Sequence, residues 1–378
     1  MERVLNEAVT KVRLSGIRRF TYLVRSTPGA CALTIGEPDL ATPAAVKEAA
    51  KAALDDNDTH YPPGNGYPWL LEAVSQYEAE YHGLHYAPNE IIMTVGATEA
   101  IFAGLSAILN PGDEVIIPTP AFGLYEAIVR LRNGVPVYLP TEQHGYQIDP
   151  QELASAITPR TKAIILTSPN NPSGAVYSRE TLEAVHGVLK DLPIFVLCDD
   201  VYRELVYTED YHSFSEFADM RDRIIVIQSF SKPYAMTGWR VGYCMADAPI
   251  IDRIQIFHQY AVVSIPSFVQ RACAVALETD VSETVALFRK RRDYVYRRLT
   301  DMGLSVQEPQ GAFYMFIDIR KYGMDSETFC TKMLKEGLVG LIPGIHFGTE
   351  GYMRLSYCYS DADLKEGLDR MENFLKTL

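Results

Sequence analysis

The segment Ser229-Phe230-Ser231-Lys232-Pro233-Tyr234-Ala235-Met236-Thr237-Gly238-Trp239-Arg240 holds the densest set of side chains able to do covalent chemistry. An amine at Lys232 can form a Schiff base with a carbonyl cofactor once it has lost its proton, which burial and neighbouring positive charge make easier. Arg240 offers a planar fork for a phosphate, and Ser229 and Ser231 offer hydroxyls to the same anion. A lysine after a strand is otherwise a solvated loop residue, but the flanking serines and Gly-Trp-Arg favour the covalent role. A second segment, Cys198-Asp199-Asp200-Val201-Tyr202, ends an apolar run. A carboxylate there is costly unless something positive meets it. A protonated pyridine nitrogen is such a partner, and the pairing keeps the ring an electron sink. Tyr202 could then reach that ring's phenolic oxygen. Two alternatives stand beside this: Asp199 could cap the next helix, and Asp200 is a rival carboxylate. In Ser168-Pro169-Asn170-Asn171-Pro172-Ser173-Gly174 the Asn171 amide could meet a cofactor oxygen, or the whole could be an ordinary proline-asparagine turn. Finally, Thr94-Val95-Gly96-Ala97-Thr98-Glu99-Ala100 takes a strand into a helix through glycine, where backbone N–H groups and the helix dipole attract anions.

The elements that must position these residues are legible as short apolar runs at 91–95, 114–117, 135–139, 163–167, 194–199, 224–228 and 241–246. Several are apolar at successive positions, as strands buried on both faces are. Helical patterns at 97–109 and 178–189 intervene, the second opening at Ser178 as a candidate cap. The alternation predicts an α/β domain on a large, mostly parallel seven-stranded sheet. Each motif above then lies just past the C-terminal end of a parallel strand, the edge where such sheets bind ligands. That convergence ties the separate turns into one site. Beyond about residue 270 the pattern changes to a helix over 282–302, a strand at 311–316, a helix from Ser326, a strand at 353–357 and a helix from Ser360, with Asp363 completing a capping-box-like pair. The expected division is a large domain over 42–270 and a smaller α+β domain from 1–41 and 271–378.

The net charge of −13 repels phosphate backbones and anionic lipid heads, so neither nucleic acid nor membrane is expected as main partner. The basic run Arg289-Lys290-Arg291-Arg292 reads as a solvated helix face. Six cysteines stand apart without a CxxC pair, which predicts reduced, buried thiols rather than a disulfide or zinc framework. His82 and His85 read as loop residues, and no metal is expected. The N-terminal stretch MERVLNEAVTKVRL lacks a signal peptide's apolar core, and no run approaches the roughly 18–20 residues of a membrane helix. A cytoplasmic location is the expectation.

With these motifs in place, the chain resembles the class I/II aminotransferases, the fold-type I pyridoxal-phosphate enzymes. The resemblance spans essentially the whole chain: Ser15-Gly16-Ile17-Arg18, Ile35-Gly36-Glu37-Pro38-Asp39, Tyr61-Pro62-Pro63-Gly64-Asn65-Gly66, the three motifs around Asn171, Asp199 and Lys232, Gly311-Ala312-Phe313-Tyr314-Met315-Phe316, Pro343-Gly344 and Tyr352–Tyr357. More narrowly, it is similar to the bacterial branch that includes aspartate, aromatic and N-acetyl-diaminopimelate aminotransferases. The resemblance implies pyridoxal 5'-phosphate on Lys232, which also shuttles the proton. It implies Asp199 at the pyridine nitrogen, and Asn171 and Tyr202 at the phenolic oxygen. Phe122 is implied to stack on the ring, with Ala97, Thr98, Ser229, Ser231 and Arg240 at the phosphate. It further implies a homodimer in which Tyr61 reaches the neighbouring subunit's phosphate, and Arg354 gripping the substrate α-carboxylate near Asn171 and the Gly36 backbone. The implied reaction moves an amino group between an amino acid and a 2-oxo acid, with glutamate and 2-oxoglutarate as one pair. A C–S β-lyase on the same fold is the main alternative. An effector-sensing module of a transcription regulator is a remote one, because those carry a DNA-binding domain ahead of the aminotransferase-like part and the landmarks here begin near residue 15. The donor stays open: Arg18, Arg19 and Arg25 are candidates for a distal carboxylate, while Phe122 and Tyr125 would suit an aromatic or long side chain, though core packing explains Tyr125 equally well.

Overall fold

The computed structural model describes residues 6–378. Residues 1–5, which open the charged N-terminal stretch and the expected small domain, lie outside the described residues. Every apolar run read as a strand is one: β1 (Ile91–Thr94), β2 (Glu114–Thr119), β3 (Val135–Pro140), β4 (Thr161–Thr167), β5 (Phe195–Asp199), β6 (Ile224–Ser229) and β7 (Gly242–Met245). They form a single sheet of seven strands in the order β1-β7-β6-β5-β4-β2-β3. β7 runs antiparallel to both neighbours, and all other adjacent pairs are parallel. The runs are continuously apolar because both faces are covered. Val196, Cys198, Ile224 and Val226 point into one apolar cluster, while Leu197, Ile225 and Ile227 point into another. Helices Ala44–Asp55, Pro68–His82 and Ser267–Leu277 supply the first cluster. Gly96–Ile108 and Ala248–Ala261 supply the second. β3 is an edge strand; it leaves Val135 and Tyr138 exposed and carries Pro136 within it.

A third apolar cluster covers an antiparallel sheet of four strands in the order Ile342–Pro343, Tyr352–Ser356, Tyr314–Asp318 and Ser305–Val306. Helices Ser282–Asp301 and Asp361–Leu375 pack there, and Phe20, Val24 and Leu33 from the N-terminal segment join them. Ser360 accepts from the Asp363 N–H, as its cap pattern predicts. The strand expected at 311–316 begins only at Tyr314. The reason is local: Ala312 has a positive φ of 56°, and the Gly311 N–H donates to Gly174 O (3.0 Å) instead of joining the ladder. The first half of that motif therefore clamps the Asn170–Gly174 loop.

The basic run at 289–292 corrects the reading of a uniformly solvated face. Arg291 is buried, because helical spacing places it on the stripe of Phe288, Val295 and Leu299. Its guanidinium donates to Asp39 Oδ1 (2.6 Å) and Oδ2 (2.9 Å) and to Asp361 Oδ1 (3.0 Å). This pins the segment holding Gly36. Arg291→Ala is expected to destabilise the fold by about 2–3 kcal/mol, the loss of a largely buried ion pair with partly exposed partners. Chemical denaturation checks this; an unchanged midpoint would contradict the anchoring role.

Of the cysteines, Cys198, Cys244, Cys273, Cys330 and Cys358 are buried, Cys31 is half-buried, and none is paired. Among the described residues no helix is long and apolar enough to cross a membrane, and no cluster of His, Cys, Asp and Glu is arranged to hold a metal.

Candidate active site

Past the C-terminal ends of β1, β4, β5 and β6 lies a cavity of about 560 Å³, the size of a small-molecule site. Gly36, Ala97, Thr98, Phe122, Asn171, Asp199, Tyr202, Ser229, Ser231, Lys232, Arg240 and Arg354 all line it. Tyr61 does not, and is 89% exposed.

One end is built to meet an anion. Gly96 opens helix Gly96–Ile108 with φ 72°, and a Cβ there would lie 2.8 Å from Arg240 Nη2. Glycine thus lets the guanidinium lie against the helix N-terminus, beside the backbone of Ala97 and Thr98. Arg240 is itself left-handed (φ 54°), and its Nη1 donates to Thr237 O at 2.8 Å. Ser229 Oγ accepts from the Ser231 N–H (3.1 Å), which closes the turn on the other side. Glu99 does not oppose an anion here, because its carboxylate is engaged by the Val95 N–H (2.6 Å) and His258 Nδ1 (2.9 Å).

At the other end Asp199 is buried, with Oδ2 accepting from the Tyr125 hydroxyl. Its Oδ1 is buried without a hydrogen-bond partner among the described residues. Burial pushes this carboxyl up to about 6, against the hydrogen bonds from Tyr125 and the Val201 backbone. A turn follows Asp199, so it caps no helix. The rival, Asp200, lies outside the cavity and accepts from Ser213 Oγ at 2.6 Å. The two asparagines also divide their labour. Asn170 closes its own turn through the Ser173 N–H and hydroxyl (3.1 and 2.8 Å), while Asn171 faces the cavity.

Between these ends Lys232 Nζ donates to Gly36 O. Burial lowers its ammonium to about 8; Cys358 and Glu37 oppose the shift, while Arg354 and Arg240 add to it. A side chain at Gly36 would overlap the Tyr314 hydroxyl. Arg354 is 2% exposed and has no acidic partner among the described residues. Nη1 donates to Asn171 Oδ1 (2.8 Å), Nη2 to Thr34 O (2.5 Å), and Nε is buried without a partner. The rings of Tyr314 and Phe347 flank the guanidinium at 4.5 and 4.7 Å. Burial lowers its pKa, and an incoming carboxylate would relieve that cost.

Two contributors escaped the sequence reasoning. Tyr125 appeared there only as a side-chain pocket residue, yet it bonds both Asp199 and Thr167 Oγ1 (2.8 Å). Tyr314 sits in a motif quoted as a landmark without a role, and its hydroxyl meets that of Tyr202 at 2.7 Å. The N-terminal arginines also separate: Arg18 and Arg25 line the cavity, whereas Arg19 pairs with Glu327 outside it.

The donor set fits a phosphorylated pyridine aldehyde. The unpartnered Asp199 oxygen suits a protonated ring nitrogen, the Gly96–Arg240 cradle suits a phosphate, and Lys232 suits the carbonyl. Comparison with known proteins agrees. The family model for aminotransferases of class I and II matches residues 30–371. The chain is 42% identical over 381 residues to the "Probable N-acetyl-LL-diaminopimelate aminotransferase" of Bacillus subtilis (strain 168), covering 99% of this chain and 96% of that one. It is 38% identical over 382 residues to the aspartate aminotransferase of Pyrococcus abyssi, with 98% of each covered. The solved structure of the Thermus thermophilus aspartate aminotransferase with maleate superposes with a TM-score of 0.94 at 34% identity, covering 99% of this chain and 100% of that one. The fold, the site and these relatives together establish that the chain belongs to the class I and II aminotransferases and is a pyridoxal-phosphate-dependent enzyme.

Proposed function

We propose that this aminotransferase moves an amino group between an L-amino acid and a 2-oxo acid, with glutamate and 2-oxoglutarate as one pair. One observation carries it: a single cavity holds a lysine of lowered basicity, a buried carboxylate with an unpartnered oxygen, and a buried arginine without an acidic partner among the described residues. Lys232 would anchor the cofactor, Asp199 would hold its ring nitrogen, and Asn171 and Tyr202 its phenolic oxygen. Phe122 would cover a ring face, and Ala97, Thr98, Ser229, Ser231 and Arg240 would hold the phosphate. When bound, pyridoxal phosphate supplies an electron sink for charge developing at the substrate α-carbon.

The chain's own groups do the rest. Arg354 takes the α-carboxylate through its planar fork, and Asn171 and Thr34 O keep that fork in one orientation. Lys232 Nζ, poised at Gly36 O and weakly basic for a lysine, would take the proton from the substrate α-carbon and deliver it two atoms along, at the cofactor's former aldehyde carbon. A buried Asp199 carries its charge at a cost, its carboxyl raised to about 6, and a protonated ring nitrogen would offset that cost. The proposal extends to a cytoplasmic homodimer in which Tyr61 serves the neighbouring copy. In support, Tyr61 stands 89% exposed and Tyr260 84%, an unusual placement for aromatic side chains in a lone subunit. The large and small domains would then be 42–270 and 1–41 with 271–378.

The test is the visible spectrum of the purified protein before and after glutamate. The yellow band of the lysine-bound cofactor should vanish with glutamate and return with 2-oxoglutarate; a band indifferent to glutamate rejects that pair. A second expectation concerns pH. Capture of the carbonyl needs neutral amine, so the rate of band formation by the cofactor-free protein should rise as pH passes about 8, where the burial-lowered Lys232 loses its proton. A rate still climbing beyond pH 10, as for an ordinary lysine near 10.4, would contradict the burial argument.

A further inference from the structure

We infer that helix Gly16–Arg25 is the specificity element of this site, and that Arg18 and Arg25 bind a side-chain carboxylate of the amino donor. The inference rests on the aminotransferase reading and names a substrate class for it.

The helix has two faces. Phe20 and Val24 are buried in the apolar cluster of the four-stranded sheet, which seats the helix. Arg18, Thr21, Tyr22 and Arg25 fall at helical spacing on the face that lines the cavity. Arg19, one position round, turns outward to Glu327. Arg18 and Arg25 make no ion pair among the described residues, in a chain whose other cavity cations each have an assignment. Lys232 is the covalent anchor, Arg240 meets the phosphate and Arg354 the α-carboxylate. Of the cavity's acids, Asp199 faces the ring nitrogen, and Glu37 accepts from Thr237 Oγ1 at 2.6 Å. Two arginines against one carboxylate leave surplus positive charge at the cavity mouth. An anionic side chain would neutralise it.

The room is also there. A recess of about 540 Å³ adjoins the cavity and shares Ser15, Ile17, Arg18, Thr98, Phe122 and Leu124 with it. Arg18 stands at the junction and Arg13 also lines the recess, whereas Arg130 there is paired with Glu126 at 2.7 Å. A donor longer than glutamate, carrying its acid group past Phe122, would therefore still meet a guanidinium.

The experiment uses the holoenzyme and steady-state turnover with glutamate, 2-aminoadipate and the uncharged isostere glutamine. Arg18→Gln with Arg25→Gln should lower the ratio of kcat/KM for the acidic donors to that for glutamine by about tenfold or more, the value of a charge-assisted hydrogen bond. The loss should fall mainly on KM, and the wild-type preference should weaken as salt is raised. Arg19→Gln, whose partner lies outside the cavity, is the control and should leave the ratio within about twofold. An unchanged ratio in the double variant, or wild-type enzyme that does not favour acidic donors over glutamine, overturns the inference. Wild-type enzyme that transaminates no amino acid would instead overturn the reading beneath it.

Discussion

Alanine at position 232 is expected to reduce transamination by about 10⁴-fold or more, because in the proposed mechanism one side chain serves as both covalent anchor and proton carrier. Nothing nearby can replace it. Among the described residues, the other basic groups of the cavity are arginines, which do not give up a proton near neutral pH. The cofactor should still be taken up, since Arg240, Ser229, Ser231 and the helix N-terminus at Ala97 and Thr98 are untouched. The yellow band of the lysine-bound form should be lost and replaced by the spectrum of the free aldehyde held in place. Loss of cofactor altogether would mean that covalent attachment, not the phosphate cradle, governs binding. Turnover near the wild-type rate would remove Lys232 from the chemistry.

Asn in place of Asp199 should lower kcat by roughly a hundred- to a thousand-fold, the usual consequence of removing one fixed partner of a developing charge. Asparagine keeps the shape and can still accept from Tyr125, so the variant isolates the charge. Asp200→Asn provides the contrast. Asp200 bonds Ser213 outside the cavity, so its loss should affect stability and leave kcat within about threefold. If the two variants exchange these outcomes, the assignment of the ring-facing carboxylate is wrong. A stability effect accompanies the first change. The folded-state pKa of Asp199 is raised to about 6, above its ordinary value, so the cofactor-free fold bears a penalty for the ionised form. That penalty is fully present above about pH 6 and fades as pH falls toward the ordinary aspartate value of about 3.9. Asp199→Asn should therefore stabilise the cofactor-free protein at neutral pH, and the gain should shrink in acid. Such a trade of stability for activity marks a group held in place for function.

Much of this architecture was visible before any coordinates. The strands of the large sheet could be read because burial on both faces demands unbroken apolar runs, here short and alternating with helical patterns. The site followed because parallel sheets present their loops at one edge, so Lys232, Asp199, Asn171 and the Gly96 turn had to converge there. Arg291 was misread because a basic run looks solvated until the phase of the helix is known, and Asp39 lies far away in sequence.

The sequence by itself determined the fold class and the motifs, the Lys232 segment among them, since local residue patterns encode both strand burial and turn geometry. Tertiary structure alone showed that Asp199 and not Asp200 lines the cavity, because successive residues at a strand end point in different directions. It alone showed that Arg354 is buried without an acid among the described residues, that Tyr125 and Tyr314 brace the site, and that Arg18 and Arg25, but not Arg19, face the cavity. Those facts depend on long-range packing of segments up to the whole chain apart, and no local pattern records which of several arginines a distant carboxylate or an open cavity will meet.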